Sequence, residues 1–373
     1  MSFNAKVLKN DEKAIYNLRA LYKSYGYSLY KVSKFEEYDL YASNRSFLVS
    51  GNILSFTDTD GKLLALKPDV TLSIVKNVAD DDKGMHKFCY NETVYRTSAN
   101  SNGFREIMQT GLECIGDIDL YSECEVITLA LKSLNEINED CLLDISHMGF
   151  IDGLMTEAGI DDAKRQELLY AIEAKNLHAV ESLCDKVSDD MKKRFSTIAT
   201  LYLPIDKAIE ELRPIVVGEK MRSAFENLCG IGRMMEKSGL ANKVFVDFSV
   251  VNDVSYYDGV CFKGFINGLP DSVLSGGRYD GLLSRLGKKQ GAIGFAVYLD
   301  CLERLDSDED KFDVDVVITY DKNVDVANVE KVRDELASDG ASVLVSSAPD
   351  RALRYRRLVR ITDGGTETLE KND

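Results

Sequence analysis

Two short segments of the chain combine a carboxylate with a hydroxyl or an amide, at spacings suited to holding a small polar ligand. Asp69 precedes Thr71 by two residues, and Gln109 precedes Glu113 by four. In an extended strand, residues two and four apart project from one face, so Gln109 and Glu113 are expected to point the same way. A carboxylate beside a hydroxyl can hold an ammonium group, which favours a pocket for an amino acid or a related amine.

Each segment also has a purely structural interpretation. Asp69 and Thr71 follow Pro68, which suits the first turn of a helix, and an acidic residue there gains from the helix dipole. Gln109 and Glu113 would then lie on the wet side of an amphipathic strand. The ligand interpretation is favoured because a carboxylate close to a second polar side chain recurs in both segments.

Tyrosines occur in two later segments that also carry turn-forming glycines. Tyr257 lies in YYDG, and Tyr279 lies in GGRYDGL directly after Arg278. Tyrosine hydroxyls together with a carboxylate can hydrogen-bond both nitrogens of an imidazole ring. We therefore predict that Tyr257 and Tyr279 line the same pocket, whereas Arg278 is expected to be structural.

The composition argues against several classes of protein. Acidic residues outnumber basic ones by 62 to 46, giving a net charge of −16, and such a surface repels a nucleic-acid backbone. There is no apolar run of roughly 18 residues and no cleavable signal sequence, so a cytoplasmic protein without a membrane partner is expected. The eight cysteines lack paired spacing and only three histidines occur, so neither a metal site nor a cofactor is expected.

Hydrophobic periodicity predicts the elements that position the ligand segments. Helices are expected over 12–25 and 119–134, and strands over 87–95 and 107–115. A hairpin is expected over 52–67, turning at Asp60-Gly61.

The later part of the chain changes character twice. Residues from about 151 to 240 have helical periodicity and few strand formers, which indicates an all-helical insertion. Strands return after it, residues 296–305 are expected to be helical, and strand and helix patterns over 312–373 indicate a small separate α/β unit. Within that unit, the run RALRYRRLVR over 351–360 is a candidate nucleic-acid patch. The structural interpretation is favoured instead: a short helix and strand whose arginines either lie in solvent or pair with the chain's surplus acids.

Longer segments carry a resemblance to a known family. Residues 274–305, LSGGRYDGLLSRLGKKQGAIGFAVYLDCLERL, resemble the last signature block of histidyl-tRNA synthetases, Gly-Gly-Arg-Tyr-Asp-Gly-Leu followed by Gly-Phe-Ala-(Val/Ile)-Gly-Leu-Glu-Arg. Cys301 stands where that family has its ATP-clamping arginine. Residues 250–257 are similar to Leu-Val-Arg-Gly-Leu-Asp-Tyr-Tyr, with Asn252 in place of the arginine. Residues 66–71 resemble the amino-acid pocket block, and residues 88–116 resemble the second class II signature, in which Arg96 and Arg105 occupy the arginine positions.

The resemblance implies an α+β fold, in which a class II aminoacyl-tRNA synthetase-like antiparallel sheet is flanked by helices. That domain would span 1–311 and include the helical insertion. A shortened anticodon-binding-like α/β domain would follow over 312–373.

The two lost arginines bear on catalysis. Forming an aminoacyl-adenylate places negative charge on phosphate oxygens, and removing one preorganised donor typically costs ~3–4 kcal/mol, or roughly 10²–10³ in rate. Asn252 and Cys301 cannot supply a permanent cation. Ligand binding can therefore persist where amino-acid activation has been lost.

Within the superfamily, the Pro-Asp-x-Thr form, the lost arginines and the short C-terminal unit favour the ATP phosphoribosyltransferase regulatory subunits. The resemblance implies a non-catalytic chain that activates a short-form catalytic subunit in the first step of L-histidine biosynthesis and mediates feedback control by histidine. It also implies a dimer through the first class II signature block, GYSLYKVSKFEEYDLY over 26–41, within a hetero-oligomer, and no tRNA partner. The residues expected to contact histidine are Asp69, Thr71, Arg96, Gln109, Glu113, Tyr257 and Tyr279.

Three alternatives stay open at the level of sequence. A divergent histidyl-tRNA synthetase would need another residue to replace the lost cations. A free-standing amino-acid sensor would have no phosphoribosyltransferase partner. Finally, the histidine pocket is either functional or vestigial, and in the second case histidine acts elsewhere.

Overall fold

The computed structural model of the chain separates into two compact units. It describes residues 8–48, 52–79, 84–97, 103–250, 256–304, 311–338, 340–348 and 352–372. The larger unit spans 14–302, and the smaller one groups residues 303–373 with residues 1–13. The domain boundary proposed at 311/312 stays a prediction, since residues 305–310 lie outside the described part.

Twelve strands of the larger unit build its sheets. They are β1 Ser28–Leu29, β2 Phe35–Glu37, β3 Ser55–Thr57, β4 Leu63–Leu66, β5 His86–Thr97, β6 Phe104–Gly116, β7 Cys141–His147, β8 Leu203–Pro204, β9 Val244–Val246, β10 Val260–Ile266, β11 Leu274–Arg278 and β12 Gly291–Tyr298. Nine of them form one sheet in the order β1-β5-β6-β12-β11-β10-β7-β9-β8, and the other three form a small sheet in the order β2-β4-β3. All neighbouring pairs are antiparallel except β1/β5 and β7/β9.

Helices flank these sheets and fill the segment after β7. The described helices up to residue 302 are α1 Asn10–Ser24, α2 Tyr38–Ala42, α3 Thr71–Asn77, α4 Leu120–Ile137, α5 Met148–Glu157, α6 Asp162–Glu173, α7 Leu177–Leu183, α8 Asp189–Thr200, α9 Ile205–Leu212, α10 Gly218–Lys237 and α11 Asp280–Arg285. The α+β class with a large, mainly antiparallel sheet flanked by helices is thus confirmed. None of the described helices is long and apolar enough to cross a membrane.

Local sequence signals explain where several of these elements begin and turn. The side chain of Asp119 accepts a hydrogen bond from the backbone N–H of Ser122 at 2.8 Å, so it caps α4. Gly61 adopts φ +88° in the turn between β3 and β4, as the Asp-Gly pair predicted. The helical insertion contains six helices between residues 148 and 237, interrupted by the two-residue strand β8.

The helix expected over 296–305 is wrong for its first residues. Residues Gly291–Tyr298 form β12, which pairs with β6 on one side and β11 on the other, and a 3-10 helix follows over Leu299–Arg304. A strand in the middle of a covered sheet is apolar on both faces, so it lacks the alternation that would distinguish it from a buried helix.

The smaller unit is a four-stranded sheet with one helix. Strands β13 Val314–Tyr320, β14 Val343–Val345, β15 Tyr355–Thr362 and β16 Gly365–Lys371 have the order β14-β13-β15-β16, and helix α12 spans Val326–Ala337. The sequence had not indicated β16, whose residues are all exposed.

The arginine run lies on and just before β15 and pairs with acids. Arg354 contacts Asp313 at 2.8 Å and Arg360 contacts Asp321 at 2.8 Å. Arg351 lies outside the described residues. The interpretation of this run as a set of ion-paired surface arginines therefore agrees with the structure.

Candidate functional site

One cavity in the larger unit brings together every residue that the sequence predicted for the ligand site. It has a volume of about 290 Å³ and lies on the face of the large sheet formed by β5, β6, β10, β11 and β12, beside the start of α3. Its lining includes Asp69, Thr71, Arg96, Gln109, Glu113, Tyr257 and Tyr279. Segments far apart in sequence therefore converge on one pocket.

Glu113 lies at the centre of the polar contacts in this pocket. It is 2% exposed, the hydroxyl of Thr71 donates to its Oε1 at 2.5 Å, and the hydroxyl of Tyr279 donates to its Oε2. Burial is the main cause that raises the pKa of Glu113 to about 8, although the two hydroxyls oppose the shift. Because a nearby positive charge lowers the pKa of a buried carboxyl, an ammonium or imidazolium group is well suited to this position.

Asp69 has a structural contact and a pocket contact at once. Its Oδ1 accepts the backbone N–H of Leu72 at 2.8 Å and stabilises the start of α3, while its Oδ2 lies 3.9 Å from Arg96 Nη2. Burial raises the pKa of Asp69, and Arg96 opposes that shift. The helix-start interpretation is therefore correct for one oxygen, and the other oxygen lies beside the cavity.

Arg96 is held in place by one hydrogen bond and by its burial. Its Nε donates to the carbonyl of Pro68 at 2.8 Å, and its side chain is 10% exposed. Arg105, its register partner on β6, is exposed and does not line the cavity. Arg96 and Arg105, the two arginines of the second class II signature, thus differ in burial.

Gln109 contributes an amide without a partner. Its side chain is 2% exposed, and among the described residues no group accepts a hydrogen bond from its Nε2. Leaving a buried donor unsatisfied typically costs ~1–3 kcal/mol. Gln109 and Glu113 thus lie in the buried part of β6, which excludes the wet-strand interpretation.

Aromatic side chains close the pocket. The rings of Tyr256 and Tyr257 are 4.7 Å apart, and those of Tyr256 and Tyr279 are 5.7 Å apart. Burial raises the pKa of Tyr256, Tyr257 and Tyr279 well above the usual value, so these hydroxyls stay neutral hydrogen-bonding groups.

Several lining residues were not predicted from the sequence. The main ones are Phe47, Tyr90, Tyr256, Lys263, Ser275 and Tyr298. The glycine at position 111 was a sequence signal for Tyr90, its register partner on β5. A Cβ at position 111 would lie 2.7 Å from the Tyr90 hydroxyl. Gly294 has a related role, since a Cβ there would lie 1.9 Å from Glu113 Oε2. These glycines leave room for the tyrosine and the carboxylate of the site.

Arg278 and Cys301 are not among the described residues that line the pocket. Arg278 donates to Glu123 at 2.8 Å and to Asp280 at 2.8 Å, which agrees with its expected structural role. Cys301 lies in the 3-10 helix after β12, and Asn252 lies outside the described residues. Among the described residues that line the cavity, Arg96 and Lys263 carry the positive charges.

The fold and the pocket together are those of a class II aminoacyl-tRNA synthetase-like protein. Residues 5–302 match the protein family described as Histidyl-tRNA synthetase. An ATP phosphoribosyltransferase regulatory subunit from Clostridium kluyveri is 30% identical over 318 residues, which cover 82% of this chain and 81% of that protein. The corresponding protein of Oceanobacillus iheyensis is 28% identical over 327 residues, covering 86% and 78%. The chain belongs to the family of ATP phosphoribosyltransferase regulatory subunits, within the histidyl-tRNA synthetase-like proteins.

Solved structures show the same fold. A Bacillus halodurans protein described as an ATP phosphoribosyltransferase regulatory subunit/histidyl-tRNA synthetase has a TM-score of 0.77 at 23% identity, covering 97% of this chain and 96% of that one. A chain of an ATP phosphoribosyltransferase complex from Thermotoga maritima has a TM-score of 0.61 at 21% identity, covering 78% and 97%. At these identities the likeness concerns the fold.

Proposed function

We propose that this chain is the regulatory subunit of an ATP phosphoribosyltransferase, the first enzyme of L-histidine biosynthesis. It assembles with a short-form catalytic subunit, is required for that subunit's activity, and binds histidine as feedback inhibitor. The names of the relatives support this assignment, and the Thermotoga maritima chain of the same fold is part of an ATP phosphoribosyltransferase complex.

The observation that carries the ligand proposal is the set of polar groups around Glu113 and Gln109. A buried carboxyl flanked by two hydroxyls suits an imidazole or ammonium group, and the unpartnered Gln109 amide supplies a donor for a ligand acceptor. Asp69 adds a second buried carboxyl on the same cavity. A zwitterion with a basic side chain satisfies these groups together, and histidine is such a molecule.

We infer that the chain does not activate amino acids. Cys301 stands at the position of a family arginine and carries no permanent charge, and Asn252 replaces the second arginine. Adenylate formation depends on fixed cations at the phosphates, whereas histidine binding does not. The net charge of −16 also supports a chain without a tRNA partner.

Self-association through the first signature block is part of the proposal. Within and beside this block, Leu29, Phe35, Phe56 and Leu63 are between 37% and 58% exposed, and the rings of Phe35 and Phe56 are 5.6 Å apart. Phe35, Phe56 and Leu63 lie on the small sheet and Leu29 lies on β1 of the large one, and these exposed apolar side chains favour a contact between copies of the chain.

Histidine then regulates by linkage. If it binds one assembly state more tightly, it biases the activity by that difference in affinity, and couplings of this kind are typically ~1–3 kcal/mol.

Reconstitution tests the proposal. The short catalytic subunit from the same genome is assayed for condensation of ATP with phosphoribosyl pyrophosphate, alone and with this chain. We expect activity only in the mixture, and inhibition of that activity by histidine. A catalytic subunit that is fully active and histidine-sensitive by itself would refute the proposed role.

A second assay addresses the rival function. Histidine-dependent exchange between ATP and pyrophosphate is measured with the isolated chain, with an authentic histidyl-tRNA synthetase as positive control. No exchange above background is expected. Exchange at the rate of the control would identify the chain as a divergent synthetase.

A further inference from the structure

Lys263 is a cation of the pocket that the proposed function leaves without a role. It lies on β10, is partly buried and lines the cavity. Within the part of the chain that the structure describes, its ammonium group forms no ion pair with an acid. In a chain with a surplus of acids, a pocket lysine without an acidic partner is available to a ligand.

Strand register places Lys263 at the opposite end of the pocket from Glu113. Glu113 pairs with Gly294 on β12, two residues before Ala296, while Lys263 pairs with Ser275 on β11, which in turn pairs with Ala296. The Cα atoms of Glu113 and Lys263 are thus about three strand spacings apart, ~14 Å, and about two residues apart along the strands, ~7 Å. Because both side chains line one cavity, a small ligand between these positions could reach both of them.

Hydroxyl groups surround the lysine end. Ser275 lies between Lys263 and the centre of the pocket, and its hydroxyl is 2.6 Å from that of Tyr298. Ser272 also lines this end of the cavity. One ammonium group with several hydroxyls is a donor-rich environment that suits an anionic oxygen.

The acid that faces Lys263 in the sheet forms no ion pair with it among the described residues. Asp144 is its register partner on β7, and Tyr202, Lys175 and Asp247 are the groups that shift the pKa of Asp144 besides burial. Burial favours the neutral form of Asp144, and no described ion pair joins it to Lys263, so the charge of Lys263 stays available to a ligand.

Arg96 is less available than Lys263. Its Nε is bound to the Pro68 carbonyl, and the buried carboxylate of Asp69 lies beside its Nη2. Lys263, which no sequence motif indicated, is therefore an alternative to Arg96 as the residue that meets the ligand carboxylate.

We propose that Lys263 binds the α-carboxylate of the amino-acid ligand, whose basic groups lie toward Glu113 and Asp69. This inference rests on the proposed function, and it names the group that selects an amino acid over the corresponding amine or alcohol. Arg96 is then a positioning residue that orients Asp69 and the start of α3.

The test compares L-histidine with L-histidinol, which keeps the ring and the amine but carries a hydroxymethyl group in place of the carboxylate. Both are titrated by calorimetry into the full chain, into K263M and K263R, and into R96Q. The wild-type chain is expected to prefer histidine by about tenfold or more, because a charge-assisted hydrogen bond is stronger than a neutral one.

In K263M the affinity for histidine falls to that for histidinol, while histidinol binding is unchanged, and K263R retains part of the preference. An unchanged preference in K263M, or its loss in R96Q alone, would overturn the assignment and give the carboxylate to Arg96. Equal affinity of the wild-type chain for both ligands would overturn it as well. A wild-type chain that binds neither ligand would instead refute the histidine site of the proposed function.

Discussion

Burial of Glu113 affects the stability of the chain and also shapes the proposed ligand site. The folded chain buries its carboxyl, which raises its pKa to about 8, whereas the usual value is 4.5. Between these values the folded state holds a proton that the unfolded state has released. The free energy of unfolding contributed by this group is therefore greatest at low pH and falls as the pH rises through this window.

The corresponding prediction concerns Glu113→Gln. Wild-type stability is expected to decline between about pH 4.5 and 8, by up to ~1.4 kcal/mol per pH unit for each such group. The variant lacks the contribution of Glu113, so its decline is shallower, above all between about pH 7 and 8. Asp144, whose pKa burial raises to about 7, contributes with the same sign only below that range. Chemical denaturation at a series of pH values measures the slopes.

Glu106→Gln is the matched control, since Glu106 lies on the same strand and is exposed. Its slope should equal that of the wild type. Parallel slopes for all three proteins would contradict the placement of a protonated carboxyl at Glu113.

At the scale of elements, Lys67 holds together the segments that frame the pocket. Its side chain is 1% exposed and its ammonium is 2.5 Å from Glu92 on β5, whose other oxygen accepts the backbone N–H of Val32 at 3.0 Å. The backbone N–H of Lys67 donates to the carbonyl of Lys34, and its own carbonyl accepts from Tyr95. One residue thus connects the first signature block, β5 and the start of the Asp69 segment.

Removing one partner of this buried pair is expected to be costly. Lys67→Met should lower the free energy of unfolding by about 3 kcal/mol or more, because it leaves a poorly solvated carboxylate. Lys62→Met, in the same hairpin, removes an exposed pair with Asp60 at 3.6 Å and should change stability by less than ~1 kcal/mol. Urea unfolding compares them. Equal effects would mean that the Lys67 pair contributes no more than a surface contact.

The helices and strands also show which parts of the fold could be predicted from the sequence. The β3–β4 hairpin, β5, β6, α1 and α4 followed from periodicity and turn residues, because each has an exposed face or a clear cap. Strand β12 did not, because it lies in the middle of the sheet and is largely buried, so its sequence does not alternate. The edge strand β16 is exposed and has no hydrophobic pattern. The seven pocket residues were predictable because their motifs are long. Lys263 and Tyr298 were not, since their place in the pocket depends on register between distant strands.

At the scale of the whole molecule, the proposed dimer has a direct test. Phe56→Asp introduces a charge beside Phe35 on the exposed small sheet and should raise the dimer dissociation constant by roughly 30-fold or more, as for a residue at the centre of an interface. Tyr170→Asp is the control, because Tyr170 is 60% exposed on α6 in the helical insertion. Sedimentation velocity over a range of concentrations gives both constants. A Phe56→Asp chain that dimerises like the control would move the interface elsewhere.

The chain is proposed to keep a ligand pocket while lacking the two catalytic cations of the synthetases. The buried amide of Gln109 has no hydrogen-bond partner among the described residues, and the proposed ligand would supply one. Cys301, proposed to stand in place of a family arginine, lies in the 3-10 helix after β12 and outside the sheet that builds the pocket. A binding protein that controls a separate catalytic chain is consistent with both features.

The most direct test of the central claim is a histidine titration of the reconstituted phosphoribosyltransferase, with either the wild-type chain or Glu113→Gln. If this pocket is the histidine sensor, the variant complex keeps its uninhibited activity, and its half-inhibitory histidine concentration rises by about tenfold or more, because a charge-assisted contact is lost. A variant complex that histidine inhibits as strongly as the wild type would show that the effector acts at another site.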